Sequence, residues 1–445
     1  MTVTPAGSSA QADALPAFSA ENPATPLPRL VGAMAASQMG AYIALLTPLQ
    51  LLLTLQLTRI AGDGAAGAFS IVTGVGALLA LVANPLGGRI SDRTAARFGR
   101  RRTWILTGSL AGSLVLVSMA FTTAVWQVVV VWCVVQTLLN FQQAATSALL
   151  SDQVSPSRRG SVSGLLGLAT ALGPLIGLAA VSGLHQPTLQ WIVAATGGVI
   201  GGVVAVLLLR DPAHRGAAAR SPFSTGEFPR SFWVNPARHP AFGWAWAVRF
   251  LITCAYASST YNAFFLLDRF HVGQAKVGGI VFLLSLLSVG LLAITSAVMG
   301  FVSDRLKRQK PFVIASGVLA ALGQLLMATA PSVAAVFVAT AVSGLATGVF
   351  FAVDSALCVR MLPSAENAGK DLAVINMANT LPQSIVPLIA TPLMAIGGFA
   401  TLYIVLGVLG IAGGLFVLRL PEIGREGDPR WALITKPRRG ETVPA

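Results

Sequence analysis

Apolar residues dominate twelve long stretches of the chain, near 30–58, 65–87, 103–123, 125–150, 161–184, 188–209, 241–267, 277–300, 311–330, 333–360, 371–396 and 399–418. A helix needs about 20 such residues to cross a bilayer, so each stretch predicts one membrane-spanning helix. Gly and Pro are frequent inside them. Membrane helices tolerate both residues, because neighbouring helices re-satisfy the backbone and small residues allow close approach. The pattern predicts an all-α membrane protein with twelve transmembrane helices.

Composition agrees with the pattern. Hydrophobic residues make up 54% of the 445 positions and charged residues only 10%, against roughly 25% charged in soluble domains. The net charge of +14 would suit nucleic acid in a soluble chain, but its placement excludes that here. Only Arg59, Arg269 and Lys276 lie in loops of one parity; the other Lys and Arg fall in opposite loops, at the termini and in a central linker. This is the positive-inside asymmetry, so both termini and the linker are expected in the cytoplasm, facing anionic lipid of the cell's inner membrane. Five segments follow: a disordered cytoplasmic tail 1–28, a six-helix bundle 29–209, a cytoplasmic linker 210–240 with five arginines, a second six-helix bundle 241–418 and a cytoplasmic tail 419–445. Cys133, Cys254 and Cys358 all lie within spans, without metal-ligand spacing, and read as small packing residues.

One motif occurs twice. Gly88-Arg89-Ile90-Ser91-Asp92-Arg93 precedes Arg100-Arg101-Arg102, and Gly300-Phe301-Val302-Ser303-Asp304-Arg305 precedes Lys307, Arg308 and Lys310. The offset between the copies, from Gly88 to Gly300, is a little under half of the chain. A repeated loop between apolar spans predicts a duplicated six-span unit, hence two pseudo-symmetric bundles. Gly88 permits close helix approach. Asp92 sits where it can accept from a facing helix N-terminus or from Arg, and the basic run is expected to stay among headgroups. The two copies resemble the loop between the second and third helices of the major facilitator superfamily and its repeat between the eighth and ninth. That resemblance implies the major facilitator fold, with Gly88, Asp92, Arg93, Arg100, Arg101, Gly300, Asp304 and Arg305 latching the two halves at the cytoplasmic side. The second copy lacks the later Gly of the pattern.

A narrower resemblance rests on 367–376, Leu381-Pro382-Gln383, 149–156 and 98–102. These stretches look like the glycoside and sucrose:proton symporter branch and related actinobacterial-type transporters. Gly173-Pro174-Leu175-Ile176-Gly177 resembles instead part of the motif of drug:proton antiporters. Those proteins place Arg-x-x-x-Gly in the fourth span, where this chain has Gln136 to Asn140.

Ionisable groups inside a membrane are costly, so each is a functional candidate. Arg249 and Asp354 lie at similar depth from the same side, in the seventh and tenth spans, and are expected to pair. Two readings stand side by side: a proton-coupling site whose pairing changes between states, or a fixed ion pair joining two helices. Asp152 and Asp371 lie at cytoplasmic helix ends and suit capping or gating. Gln38, Gln136, Asn140, Tyr256, Tyr261, Asn262, Asn376 and Asn379 are candidates to line a cavity for a neutral, polyhydroxylated or amphipathic solute; interhelical hydrogen bonding is the alternative use of each. The superfamily resemblance implies that the first, fourth, seventh and tenth helices face the cavity.

The four histidines have no zinc spacing, and neither a Walker loop nor a Gly-x-Ser-x-Gly elbow occurs. No enzyme, metal or cofactor is expected. The expected function is secondary active transport of a small organic solute by alternating access, coupled to protons, with a sugar or glycoside favoured and drug or metabolite efflux as the alternative. A polytopic membrane enzyme is the remote alternative. The expected partners are the solute, protons and membrane lipid, with the chain acting as a monomer.

Overall fold

A computed structural model describes residues 25–155, 158–211, 239–306, 308–360 and 368–420; side chains are not described at 355–356, 358–360, 368–373 and 376. Among the described residues ten helical runs are long and apolar enough to cross a membrane. Two of them are too long for one crossing. The run Leu27–Arg93 holds 67 residues, about 100 Å of straight helix at 1.5 Å per residue, against a hydrocarbon core of about 30 Å. It turns back at Gly62–Gly64, where Gly62 takes φ +54°. The run Met377–Arg419 breaks at Gly397 and Gly398, the latter with φ +66°. Both turns need the left-handed backbone that glycine adopts without strain. Twelve crossings result, and the fold is the all-α, two-bundle fold expected.

The first span is α1 (Leu27–Thr47), a π-helical turn at Pro48–Leu52, and α2 (Leu53–Ala61). The second to sixth are α3 (Ala65–Arg93), α4 (Arg100–Ser118), α5 (Val125–Gln153), α6 (Arg159–Ser182) and α7 (Pro187–Leu208). The seventh is α8 (Pro240–Tyr256), a 3₁₀ turn at Ala257–Tyr261, and α9 (Asn262–Arg269). Then come α10 (Gln274–Leu306), α11 (Lys310–Ala328), α12 (Val333–Arg360) and α13 (Ala368–Phe416), which carries the last two spans. The helix starts at Leu27, so the expected tail 1–28 overlaps it; residues 1–24, 212–238 and 421–445, the bulk of the tails and linker, lie outside the described residues.

The duplication persists in the packing. In the first half the second span packs on the fourth, the third on the fourth and the third on the sixth; in the second half the eighth packs on the tenth, the ninth on the tenth and the ninth on α13. Individual crossings match as well. A Cβ at Gly201 would lie 2.6 Å from Gly40 Cα and 2.5 Å from the Ala36 carbonyl oxygen. The offset that takes Gly88 to Gly300 takes Gly40 to Ile252 and Gly201 to Gly413, and a Cβ at Gly413 would lie 3.1 Å from Ile252 N. The neighbours at Gly201 are backbone and cannot rotate away, so Gly201→Leu must push the first and sixth spans apart. Overpacking of this kind costs about 1–3 kcal/mol. Melting of the purified variant should fall accordingly, whereas Gly164→Leu, with open space at its Cβ, should melt as wild type.

The halves touch through the second span on the eleventh and the fifth on the eighth. These contacts lie at the end remote from Thr25 and Arg419. Thr391 and Leu388 meet the Cβ positions of Gly67 and Gly74, and Ser182 meets that of Gly278. At the end that carries Thr25 and Arg419, a Cβ at Gly88, Gly160, Gly164 or Gly300 would meet nothing within 4 Å. Among the described residues the halves are therefore joined at one end and separated at the other.

Candidate functional site

Arg249 and Asp354 meet. Arg249 Nη2 lies 3.3 Å from Asp354 Oδ2, and Asp354 is only 1% exposed and Arg249 11%. The pair sits in an apolar cluster that includes Val248 and Ile252 of α8 and Phe350, Val353 and Leu357 of α12. The Tyr256 hydroxyl lies near Asp354, Ser316 and Thr347, and its ring faces Phe350.

The same slot in the first half is neutral. The repeat offset maps Arg249 back onto Ser37 and Asp354 back onto Gln142. Gln142 Nε2 donates to the Ser37 carbonyl and hydroxyl oxygens, both at 3.2 Å, and Ser37 Oγ lies 2.6 Å from Thr146 Oγ1. All three side chains are buried. One half thus joins its first and fourth helices by neutral hydrogen bonds, and the other joins the equivalent helices by opposite charges.

A second charged cluster occupies the separated end. Arg101 is only 3% exposed, a correction to the expectation that the basic run stays among headgroups. Its guanidinium reaches Asp92 Oδ1 at 2.5 Å, Asp152 Oδ2 at 2.9 Å and Ser91 Oγ at 2.9 Å, and Arg100 also reaches Asp152 at 2.9 Å. Asp152 therefore joins the third span to the fourth. Arg159 turns back on the Val154 and Ser151 carbonyl oxygens. Close approach falls on Gly87, whose Cβ would lie 2.9 Å from Phe141 Cα, and not on Gly88 as expected. The second copy differs from the first. Asp304 and Arg305 are exposed, Arg305 lies over the Phe301 ring at 5.0 Å, and Asp304 has no ion pair among the described residues. Lys307 and the side chain of Asp371 lie outside the described residues.

The polar candidates divide. Tyr261 is fully buried and does not line a cavity in this conformation. Its hydroxyl lies 3.0 Å from Ser70 Oγ and its ring stacks edge-on against Phe69, so it ties the halves together. On the other side Ser285 Oγ donates to Gln50 Oε1 at 3.0 Å. Gln50 lies in the π turn of the first span and Tyr261 in the 3₁₀ turn of the seventh. Each half thus sends a side chain from the break in its first helix to the second helix of the other half. Asn140 bonds Gln136 and Asn84, with Asn84 Nδ2 donating to Asn140 Oδ1 at 3.5 Å, and serves helix packing. Asn379 lies 3.5 Å from Thr253 Oγ1. Gln38 Oε1 and Asn262 Oδ1 are buried oxygens with no hydrogen-bond partner among the described residues. The side chain of Asn376 lies outside the described residues. Tyr261→Phe keeps the ring and removes the bond to Ser70, worth about 0.5–1.5 kcal/mol net. Hydrogen exchange over 65–76 should rise several-fold; unchanged exchange would remove this bond from the closure.

The sequence profile of the Major Facilitator Superfamily matches residues 30–296 and again 282–441. The chain belongs to the Major Facilitator Superfamily. It is a transporter and not an enzyme. Among solved structures of similar fold are a POT family transporter in complex with a thioalcohol-conjugated peptide (14% identity, TM-score 0.68, covering 88% of this chain and 95% of that one), a mutant of the nucleoside transporter NupG (13%, 0.67, 87% and 99%) and the peptide transporter POT in complex with sulfate (13%, 0.65, 88% and 94%). No curated protein matches the chain in sequence.

Within this superfamily member, three residues of the sites described escaped sequence reasoning. Asn84 was one Asn among many spans, and Gln50 gave no sign that its helix is broken around it. Asp211, an acid at the edge of an arginine-rich linker, resembled a solvated charge, yet it reaches α4. Among the described residues no three His, Cys, Asp or Glu side chains converge as metal ligands.

Proposed function

We propose that the protein carries a small organic solute across the cytoplasmic membrane by alternating access, coupled to protons, with Asp354 carrying the proton and Arg249 competing for its charge. The observation that carries this is the contrast between the two halves. The first half makes the equivalent helix junction with Ser37, Gln142 and Thr146, at no charge. Burying two ions costs several kcal/mol each before their attraction returns any of it. A junction that the fold can make neutrally gains nothing by being charged unless the charge itself is used. A proton on Asp354 cancels the attraction for Arg249, so proton loading and pairing exclude each other. That exclusion is what a coupled carrier needs.

Both termini lie in the cytoplasm in this reading, because the arginine-rich ends of the helices are at that side. The separated end then faces the cytoplasm. Asp92, Arg93, Arg100 and Arg101, with Gly88, form the latch of the first half, and Gly300, Asp304 and Arg305 that of the second; Asp152 and Asp371 gate the same side. In the opposite state these surfaces come together. Gln38, Gln136, Tyr256, Asn262 and Asn379 are the solute-facing candidates, and their uncharged donors and acceptors favour a sugar or glycoside. Solved proteins of the same fold that transport peptides and nucleosides are in keeping with a small organic solute. Drug or metabolite antiport is the second reading. Its support is the fifth-span Gly173, whose Cβ would lie 2.8 Å from the Met39 carbonyl oxygen, so that the segment around Pro174 packs directly on the first span.

The test is uptake into proteoliposomes of sucrose, a methyl glycoside and an amphipathic cationic dye, with and without a pH gradient. Sugar accumulation driven by inward protons supports symport. Dye expulsion exchanged for protons selects antiport. Equilibration of a solute with no response to pH would end the coupling proposal.

A further inference from the structure

The chain leaves the sixth span at Leu208, and Asp211 is the last described residue before the segment that joins the halves. Its carboxylate does not point into solvent. Asp211 Oδ2 accepts from the backbone N–H of Arg101 at 2.6 Å and of Arg102 at 3.1 Å. These are two of the N–H groups that the first turn of α4 cannot satisfy internally. The residue that would normally cap this helix is Gly99, which has no side chain and a φ of +101°. A Cβ there would lie 2.6 Å from Asp211 Oδ2 and 2.7 Å from Asp211 Cγ. The glycine therefore makes room for an acid brought in from three spans downstream.

Asp211 is itself held. Arg210 N donates to Thr25 Oγ1 at 2.9 Å, Thr25 Oγ1 donates to the Arg210 carbonyl at 2.8 Å, and Gln153 Nε2 reaches the same carbonyl at 3.4 Å. Thr25 is fully buried. The start of the first span, the end of the fourth and the exit of the sixth thus converge on the first turn of the third. That turn carries Arg101, whose guanidinium holds Asp92 and Asp152.

We propose that Asp211 is a positioning residue for the conformational change: by capping the third helix it fixes Arg101 between Asp92 and Asp152, and it ties that cluster to the segment connecting the halves. The inference rests on the alternating-access reading and needs neither the solute nor proton coupling. A cap of this kind belongs to the state in which it is seen, so its loss weakens the arrangement with the separated end open.

The test uses spin labels at positions 97 and 308, both exposed at the separated end, in the full chain with its three cysteines replaced. Distances are measured in liposomes without any solute. Asp211→Ala should raise the ratio of short to long distances several-fold. Asp211→Asn keeps an acceptor of equal capping quality and should restore the wild-type ratio. An unchanged ratio in Asp211→Ala would overturn the proposal. So would an equal shift in both variants, since charge and not the cap would then be responsible. If Asp211→Ala does not fold, the Asn variant decides alone: a wild-type ratio supports the cap and a shifted one opposes it. A wild-type chain with one distance only would contradict alternating access itself, and Asp211 would have no equilibrium to bias.

Discussion

Asp354→Asn should abolish proton-coupled movement of solute while leaving solute exchange at equal concentrations running. The amide matches the carboxylate in shape but can neither take up nor release a proton. It also leaves Arg249 facing a neutral group in a site where Asp354 was only 1% exposed. Removing one partner of a buried pair costs about 3–5 kcal/mol in soluble proteins; the 11% exposure of Arg249 and the retained amide dipole place the cost at the lower end. Arg249→Ser with Asp354→Gln separates the two readings of the pair. This double change writes the Ser37 and Gln142 of the first half into the second. Both charges disappear together, so the variant should fold within about 1 kcal/mol of wild type, with strong non-additivity against the two single changes. If the pair is only a strut, coupling survives in the double variant. If Asp354 carries the proton, coupling is lost although the protein is stable.

The second large effect is expected at the separated end. Arg101→Ala removes one guanidinium that contacts Asp92, Asp152 and Ser91. Two carboxylates are then left close to each other, with Arg100 still paired to Asp152. Asp92 is 42% exposed, so solvent absorbs part of the loss, and about 2–3 kcal/mol is a fair expectation, below the cost for a fully buried pair. Arg101→Lys should recover little, because an ammonium cannot fork between two acids and a hydroxyl. Asp92→Asn, at the exposed arm of the cluster, should slow transport at near-normal stability. Thermal melting and transport of the three variants check the order Arg101→Ala, Arg101→Lys, Asp92→Asn, from most to least severe.

Most of the fold was legible because an apolar run of about 20 residues in this composition has one good use. The repeat was legible from one loop, and its offset then located crossings as remote as Gly40 with Gly201 and Ile252 with Gly413. The Arg249–Asp354 contact was legible for a different reason: charges inside apolar spans are few, and two at the same depth have little else to meet. Breaks within helices were not legible. The π turn at Pro48–Leu52 and the 3₁₀ turn at Ala257–Tyr261 change hydrogen-bond register, which hydropathy does not record. This is why Tyr261 was expected in a cavity and is found in the closure between the halves. The burial of Arg101 was hidden too. Three consecutive arginines read as a surface run, and only the arrangement of Ser91, Asp92 and Asp152 around the middle one makes a buried site. Asp211 was hidden by its distance in sequence from the helix it caps.

The central claim is that movement of the solute and of a proton pass through one carboxylate. Its most direct measurement is the pH inside sealed proteoliposomes as a transported solute is added outside, for wild type, Asp354→Asn and the Arg249→Ser, Asp354→Gln double variant. The account predicts a solute-dependent pH change in wild type, and none in either variant while radiolabelled solute still exchanges. A pH change of wild-type size in the folded double variant would contradict it and leave the buried pair as a strut between the seventh and tenth helices.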